Sequence, residues 1–128
     1  MKKRVLIVDD ELNFLYVMNL MLRDHYEVRT CYSAPQVAYV AHEFKPHLIL
    51  MDCMMPGMDG GELAGQLQQD DKLKDTPFLF LTCTVSKVET NTSKCYDGVQ
   101  TFLPKNIEID QLIKVIDGKL AEREKIAV

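Results

Sequence analysis

Residues 5–11, VLIVDDE, place four apolar β-formers directly before Asp9, Asp10 and Glu11. An unbroken apolar run of this kind reads as a strand buried on both faces, as in a parallel sheet. Adjacent acids at its end repel one another. At roughly 5 Å and an effective dielectric near 20, each charged pair costs about 3 kcal/mol. A strand that ends in such a cluster calls for a compensating cation or a bound proton.

Working outward, the pattern repeats. Residues 4–8 read as the first strand, and 11–24 as a helix that Asp10 could cap. YEVRTC (26–31) alternates like a strand exposed on one face. SAPQVAYVAHEF (33–44) has Ser33 as N-cap and Pro35 in the first turn, a helix start. HLILMD (47–52) is a second apolar strand ending in an acid, and PGMDG (56–60) reads as a turn before a helix that Asp59 caps, running to about 69. FLFLT (78–82) is another buried strand, SKVETNTSKCYDG (86–98) a weak helix, and VQTFL (99–103) a fifth strand. Residues 108–124 carry Ile109, Leu112, Ile113, Ile116 and Leu120 at helical spacing.

This βαβαβαβαβα order predicts an α/β fold with a doubly wound parallel sheet, because right-handed crossovers place helices on both faces. Sites in such sheets form outside the carboxyl ends of the strands. The polar residues fall at those ends: Asp9 and Asp10, Asp52, Thr82 and Lys105. Three carboxylates and one ammonium would therefore share an edge, and a hard divalent cation would offset the repulsion. Few protein oxygens with room for water suit Mg²⁺ better than Ca²⁺.

Composition narrows the function. With 128 residues the chain is expected to form one domain. A net charge of −4 and a pI near 5.3 provide no basic footprint for nucleic acid, and an anionic membrane would repel the chain. No apolar run approaches the ~18 residues of a membrane span, and the four after Arg4 are too few for a signal-peptide core. The four cysteines (31, 53, 83, 95) lack C-x-x-C spacing and read as free thiols of a cytoplasmic protein. The histidines at 25, 42 and 47 lack metal-ligand spacing.

Taken together, Asp9-Asp10 in LIVDDE, Asp52 in LILMDCMMPGMDG, Thr82 in FLFLTCT and Lys105 in TFLPK resemble the receiver domain of two-component response regulators over residues 3–120. The resemblance implies a flavodoxin-like (βα)5 fold of strand order 2-1-3-4-5, with 121–128 as a charged tail. It makes Asp52 the phosphoacceptor for a phosphohistidine on a sensor histidine kinase or histidine phosphotransfer protein. Asp10, Asp52 and the Met54 backbone carbonyl would hold Mg²⁺, with Asp9 acting through a metal-bound water. Lys105 would pair with phosphoryl oxygens. Thr82 and Phe102 would form the switch, the ring turning inward as Thr82 moves, and the face of the fourth helix, fifth strand and fifth helix would carry the output. The effector or output domain is not specified, homodimerisation stays open, and the chain reads as a stand-alone receiver or a piece of a longer regulator.

Singly, each residue has a plainer reading. Acids favour helix N-termini by about 0.3–1 kcal/mol each. Thr82 suits any strand, Phe102 any core, Lys105 any surface. The joint geometry favours the functional reading over them. The alternative is a degenerate receiver, a phosphorylation-independent interaction module. Asn106 follows the lysine where the family places proline; a cis bond there would cost about 3–4 kcal/mol, so the 105–106 bond is expected to be trans. A haloacid-dehalogenase-type phosphatase wants an Asp at position 54, which is Met, and a flavodoxin wants a phosphate loop after strand one, which is absent. In LNFLYVMNLML (12–22), Phe14, Met18, Met21 and Leu22 are expected to face the sheet, leaving Leu15 and Tyr16 outward for a phosphodonor's helices.

Overall fold

A computed structural model of the protein describes residues 2–52, 54–55, 58–82 and 101–127. Its central sheet contains β1 (Arg4–Val8), β2 (Glu27–Cys31), β3 (Leu48–Asp52), β6 (Phe78–Thr82) and β7 (Thr101–Pro104). They lie in the order β2-β1-β3-β6-β7, every neighbouring pair parallel. Counting these five alone, the order is the expected 2-1-3-4-5. Two short strands, β4 (Met54–Met55) and β5 (Met58–Asp59), pair antiparallel, so the turn expected at 56–60 is framed by a small hairpin.

The apolar strands bury both faces by strict alternation. Val5 and Ile7, Leu48 and Leu50, Leu79 and Leu81 join one core, with Leu112, Ile116 and Leu120 of the C-terminal helix (Ile109–Ala127). Leu6 and Val8, Ile49 and Met51, Phe78 and Phe80 join the other, under α2 (Val37–Phe44) and α3 (Gly60–Gln68). The C-terminal helix runs three residues past the expected 124 and absorbs most of the expected tail. Ala121, Glu122, Arg123, Glu124 and Lys125 are good helix formers, and no breaker intervenes.

α1 spans Leu12–Leu22, shorter at both ends than expected. Asp10 does not cap it. Glu11 occupies the N-cap position without a side-chain cap, and its N–H donates to Asp9 Oδ1 at 2.9 Å. The buried stripe is Leu15, Met18 and Leu22, at i, i+3 and i+7, rather than the expected one. Leu15 is 4% exposed, so its assignment to an outward face is wrong, while Met21 is exposed and Phe14 sits at the rim. Met18 and Leu22 are common to both stripes, and the helix is turned by about half a residue, roughly 50°, from the expected orientation.

The second helix begins as a 3₁₀ turn at Ala34–Gln36 with Pro35 inside it; Ser33 stands at the cap position but makes no side-chain cap bond. α2 ends at Lys45, which takes the left-handed conformation (φ 55°). The expected helix at 86–98 lies outside the described residues. No described peptide bond is cis, Lys105–Asn106 included. Among the described residues no helix is long and apolar enough to cross a membrane.

Tyr26, before β2, is buried and donates its hydroxyl to Asp117 Oδ1 at 2.7 Å, which ties the sheet edge to the C-terminal helix. Burial first, then the bond and charge of Asp117, push the phenol above its ordinary range. Folding thus favours the protonated phenol. Its contribution is complete below about pH 10, the unfolded phenol's pKa, and is lost as pH rises beyond it. Chemical denaturation from pH 8 to 11 should show stability falling above pH 10, with a shallower fall in Tyr26→Phe. Parallel profiles would remove Tyr26 from the alkaline transition.

Candidate active site

Parallel pairing aligns the carboxyl ends of β1, β3 and β6. Val8 is in register with Met51, Asp52 with Leu81, and Thr82 with Pro104. The residue that ends or follows each strand therefore emerges at the same edge. Asp9 is anchored there by its own N–H, which donates to Cys31 O at 3.1 Å. Its carboxylate is fully buried, Asp52 is 5% exposed and Asp10 is exposed. One oxygen from each of Asp9, Asp10 and Asp52 lies within 4.8 Å of the others.

Lys105 enters from β7. Its backbone N–H donates to Thr82 O at 2.8 Å, which extends the ladder one residue past Pro104. Its Nζ lies 2.8 Å from Asp9 Oδ2, 2.8 Å from Glu11 Oε1 and 3.5 Å from Asp52 Oδ2, and 4.9 Å from the centre of the Phe14 ring. Burial alone would lower this ammonium's pKa. The close contacts with Asp9 and Glu11 and the charges of Asp9 and Asp52 outweigh it and hold the group above the usual lysine range. For Asp9 the balance tips the other way: burial raises its carboxyl despite Lys105 and the Glu11 N–H.

One ammonium thus faces three carboxylates, Asp9, Glu11 and Asp52, with Asp10 beside them. Asp9 Oδ2, wholly buried, has no well-directed hydrogen bond among the described residues; its contact with Lys105 is an ion pair off the bonding angle. A buried anionic oxygen without a directed donor, beside two further carboxylates, is a donor set suited to a small hard cation.

Sequence placed Asp9, Asp10, Asp52 and Lys105 at one edge, and the structure brings all four together. Thr82 is buried at the end of β6. Met54 lies two residues past Asp52 in β4. Phe102 stacks on Phe80, its cross-strand partner, at 4.9 Å between ring centres and 23° between planes, and is 8% exposed. The ring expected to turn inward is inward already. Glu11 and Phe14 were missed as neighbours of Lys105. As sequence, Glu11 reads as a helix-end acid and Phe14 as core; the available signal is that both closely follow Asp10 in the chain.

A doubly wound α/β sheet with an acidic, lysine-bearing pocket at its carboxyl edge defines the class. The chain belongs to the response regulator receiver domain family, whose model matches residues 5–117. It is 29% identical to Protein PilH of Pseudomonas aeruginosa over 119 residues, 92% of this chain and 98% of that one. It is 29% identical to the polar-differentiation response regulator DivK of Brucella anthropi, covering 95% and 99%. The chemotaxis response regulator CheY4 of Vibrio cholerae superposes with a TM-score of 0.77 at 26% identity, covering 91% and 98%.

Removing the ammonium should expose its role. In metal-free buffer at pH 7, Lys105→Met should lose about 1–3 kcal/mol, less than the full cost of breaking a buried pair because the lysine is partly exposed. Without Lys105 the Asp9 carboxyl rises further, so folding favours its protonated form more strongly. That advantage is complete below the unfolded pKa near 3.9 and fades as pH rises. The deficit should therefore be smallest near pH 4 and widen toward pH 7. Urea denaturation at both values checks this, and a deficit independent of pH would contradict it.

Proposed function

We propose that the protein is a cytoplasmic phosphoacceptor receiver in a two-component or phosphorelay pathway, with Asp52 as the acceptor. The convergence of Asp9, Asp10, Asp52 and Lys105 on one sheet edge carries this reading. Asp52 is the acid at the end of the central strand β3 and lies within reach of Lys105. Its carboxylate oxygen attacks the phosphorus of a phosphohistidine; the P–N bond breaks, its electrons return to the imidazole, and an acyl phosphate remains on Asp52. Asp9, Asp10 and Asp52, with the Met54 carbonyl, would hold Mg²⁺, which when bound neutralises phosphoryl charge. Lys105 leaves Glu11 and meets the new oxygens with its ammonium. Thr82, whose carbonyl already holds the Lys105 backbone, offers its hydroxyl to a phosphoryl oxygen. Because Phe102 is already packed on Phe80, the switch on this strand works by fixing the inward ring rather than by bringing it in, a shift of population.

Mg²⁺ and acetyl phosphate should add one phosphoryl group by intact mass, and Asp52→Asn should abolish it. Labelling that persists in the Asn variant would place the nucleophile elsewhere. No labelling of the wild type would favour the degenerate, interaction-only reading.

The phosphodonor's docking face is α1. Leu12 (63% exposed), Tyr16 (66%) and Leu20 (40%) recur every four residues on its outer side, with Val17 and Met21 beside them. Contiguous exposed apolar side chains of this kind suit a helical partner, and the stripe starts next to the Asp9–Lys105 cluster. Tyr16→Ser with Leu20→Ser should slow transfer from the cognate phosphohistidine protein by about tenfold or more, equivalent to 1.4 kcal/mol, and leave acetyl phosphate labelling unchanged. If both reactions fall together, the pair supports the fold rather than docking.

A further inference from the structure

The opposite end of the sheet carries a second concentration of charge, of opposite sign. A hollow of about 410 Å³ opens at the amino ends of the strands, lined by Arg4 of β1, His42 of α2, Lys45, His47 and Lys72. Its apolar lining is Ala41, Pro46 and Leu73, all buried. Strands of five residues separate it from Asp9 and Asp52 by about 15 Å. Nothing in the phosphoacceptor reading uses it.

Three permanent cations meet here in a chain of net charge −4. Among the described residues no carboxylate pairs with Arg4, Lys45 or Lys72. The carboxylate nearest the hollow, Asp70, has its oxygens engaged by His42 Nε2 at 2.7 Å and by the Lys72 backbone N–H at 2.9 Å rather than by any of the three cations. Arg4 is fixed in place: its Nε donates to Lys45 O at 2.8 Å, and its backbone N–H donates to His47 Nδ1 at 3.0 Å. Like charges gathered around one recess repel, and they persist at a cost unless an anion repays it.

Lys45 adds an independent sign. It holds the left-handed position that ends α2, where glycine is strongly preferred and a side chain costs roughly 1 kcal/mol. A lysine kept there at the expense of local strain places a cation on the hollow.

We propose that this hollow binds a compact phosphorylated small molecule. The volume falls within the range of small-molecule sites, roughly 300–1,000 Å³. A recess with an apolar floor and cations around it suits such a ligand better than the flat face an acidic protein would need. Phosphate oxygens would take the Arg4 and lysine ends through charge-assisted bonds.

Pyrophosphate in Mg²⁺-free buffer is the probe, because the carboxylates at the other edge then repel it. Titration at low salt, followed by calorimetry and by amide shifts, should saturate, weaken as salt is added, and move amides of residues 41–47 and 72–76. Lys45→Gly should weaken binding by about tenfold, the cost of one charge-assisted contact, without lowering stability, because it relieves the left-handed strain. Lys72→Gln should act alike, and both variants should take phosphoryl groups from acetyl phosphate as the wild type does. Unsaturable binding, wild-type affinity in the variant that combines Lys45→Gly with Lys72→Gln, or shifts confined to the Asp9–Asp52 edge would overturn the proposal. So would a glutamate-rich peptide that binds tighter than pyrophosphate, which would assign the hollow to an acidic protein.

Discussion

The ammonium of Lys105 lies among three carboxylates at the sheet's carboxyl edge, and much of the structure serves to hold it there. That charge opposes the burial that pushes the Asp9 carboxyl toward its protonated form, since desolvation of an unpaired carboxylate costs several kcal/mol. Yet one ammonium cannot neutralise Asp9, Asp10, Glu11 and Asp52 together. The residual negative charge at this edge makes Asp9, Asp10 and Asp52 a donor set suited to a small hard cation.

The scaffold assembles that donor set through register. Because all five strands run parallel, one residue of slip in any of them would turn its side chains to the other face and carry its terminal acid off the edge. The alternating burial of Val5 to Val8, Leu48 to Met51 and Phe78 to Leu81 into two separate cores pins each strand against such a slip. Packing energy thereby becomes positional accuracy for Asp9 and Asp52. The same parallel arrangement collects acids at one end and leaves Arg4, Lys45 and Lys72 at the other.

The doubly wound parallel sheet and the convergence of Asp9, Asp10, Asp52 and Lys105 were legible because continuous apolar strands followed by acids leave few alternatives, whereas the strand order came with the resemblance to receiver domains. The rotation of α1 was not. Nearly every residue from Leu12 to Leu22 is apolar, so no polar face marked the outside, and only the fit of Leu15, Met18 and Leu22 onto Val5, Ile7 and Leu50 decides it. Caps were also misplaced. Asp9 and Asp10 can both reach the start of α1, and the ladder bond from Asp9 to Cys31 settles which carboxylate turns toward Glu11. Phe102 could be placed on its strand but not in its rotamer, since the stacking partner Phe80 lies on a neighbouring strand.

Pro104 has a consequence for assembly. On β7 the Lys105 N–H points inward to Thr82, so by the alternation of a strand the Pro104 nitrogen faces the outer side, where a sixth strand would pair. Proline has no hydrogen there to give. The edge is chemically blunted at its carboxyl end, where continuation of the sheet by another copy would bring two acidic pockets side by side. At this end of the border a second copy would have to be recognised through side chains, because the main-chain ladder cannot be continued past Pro104.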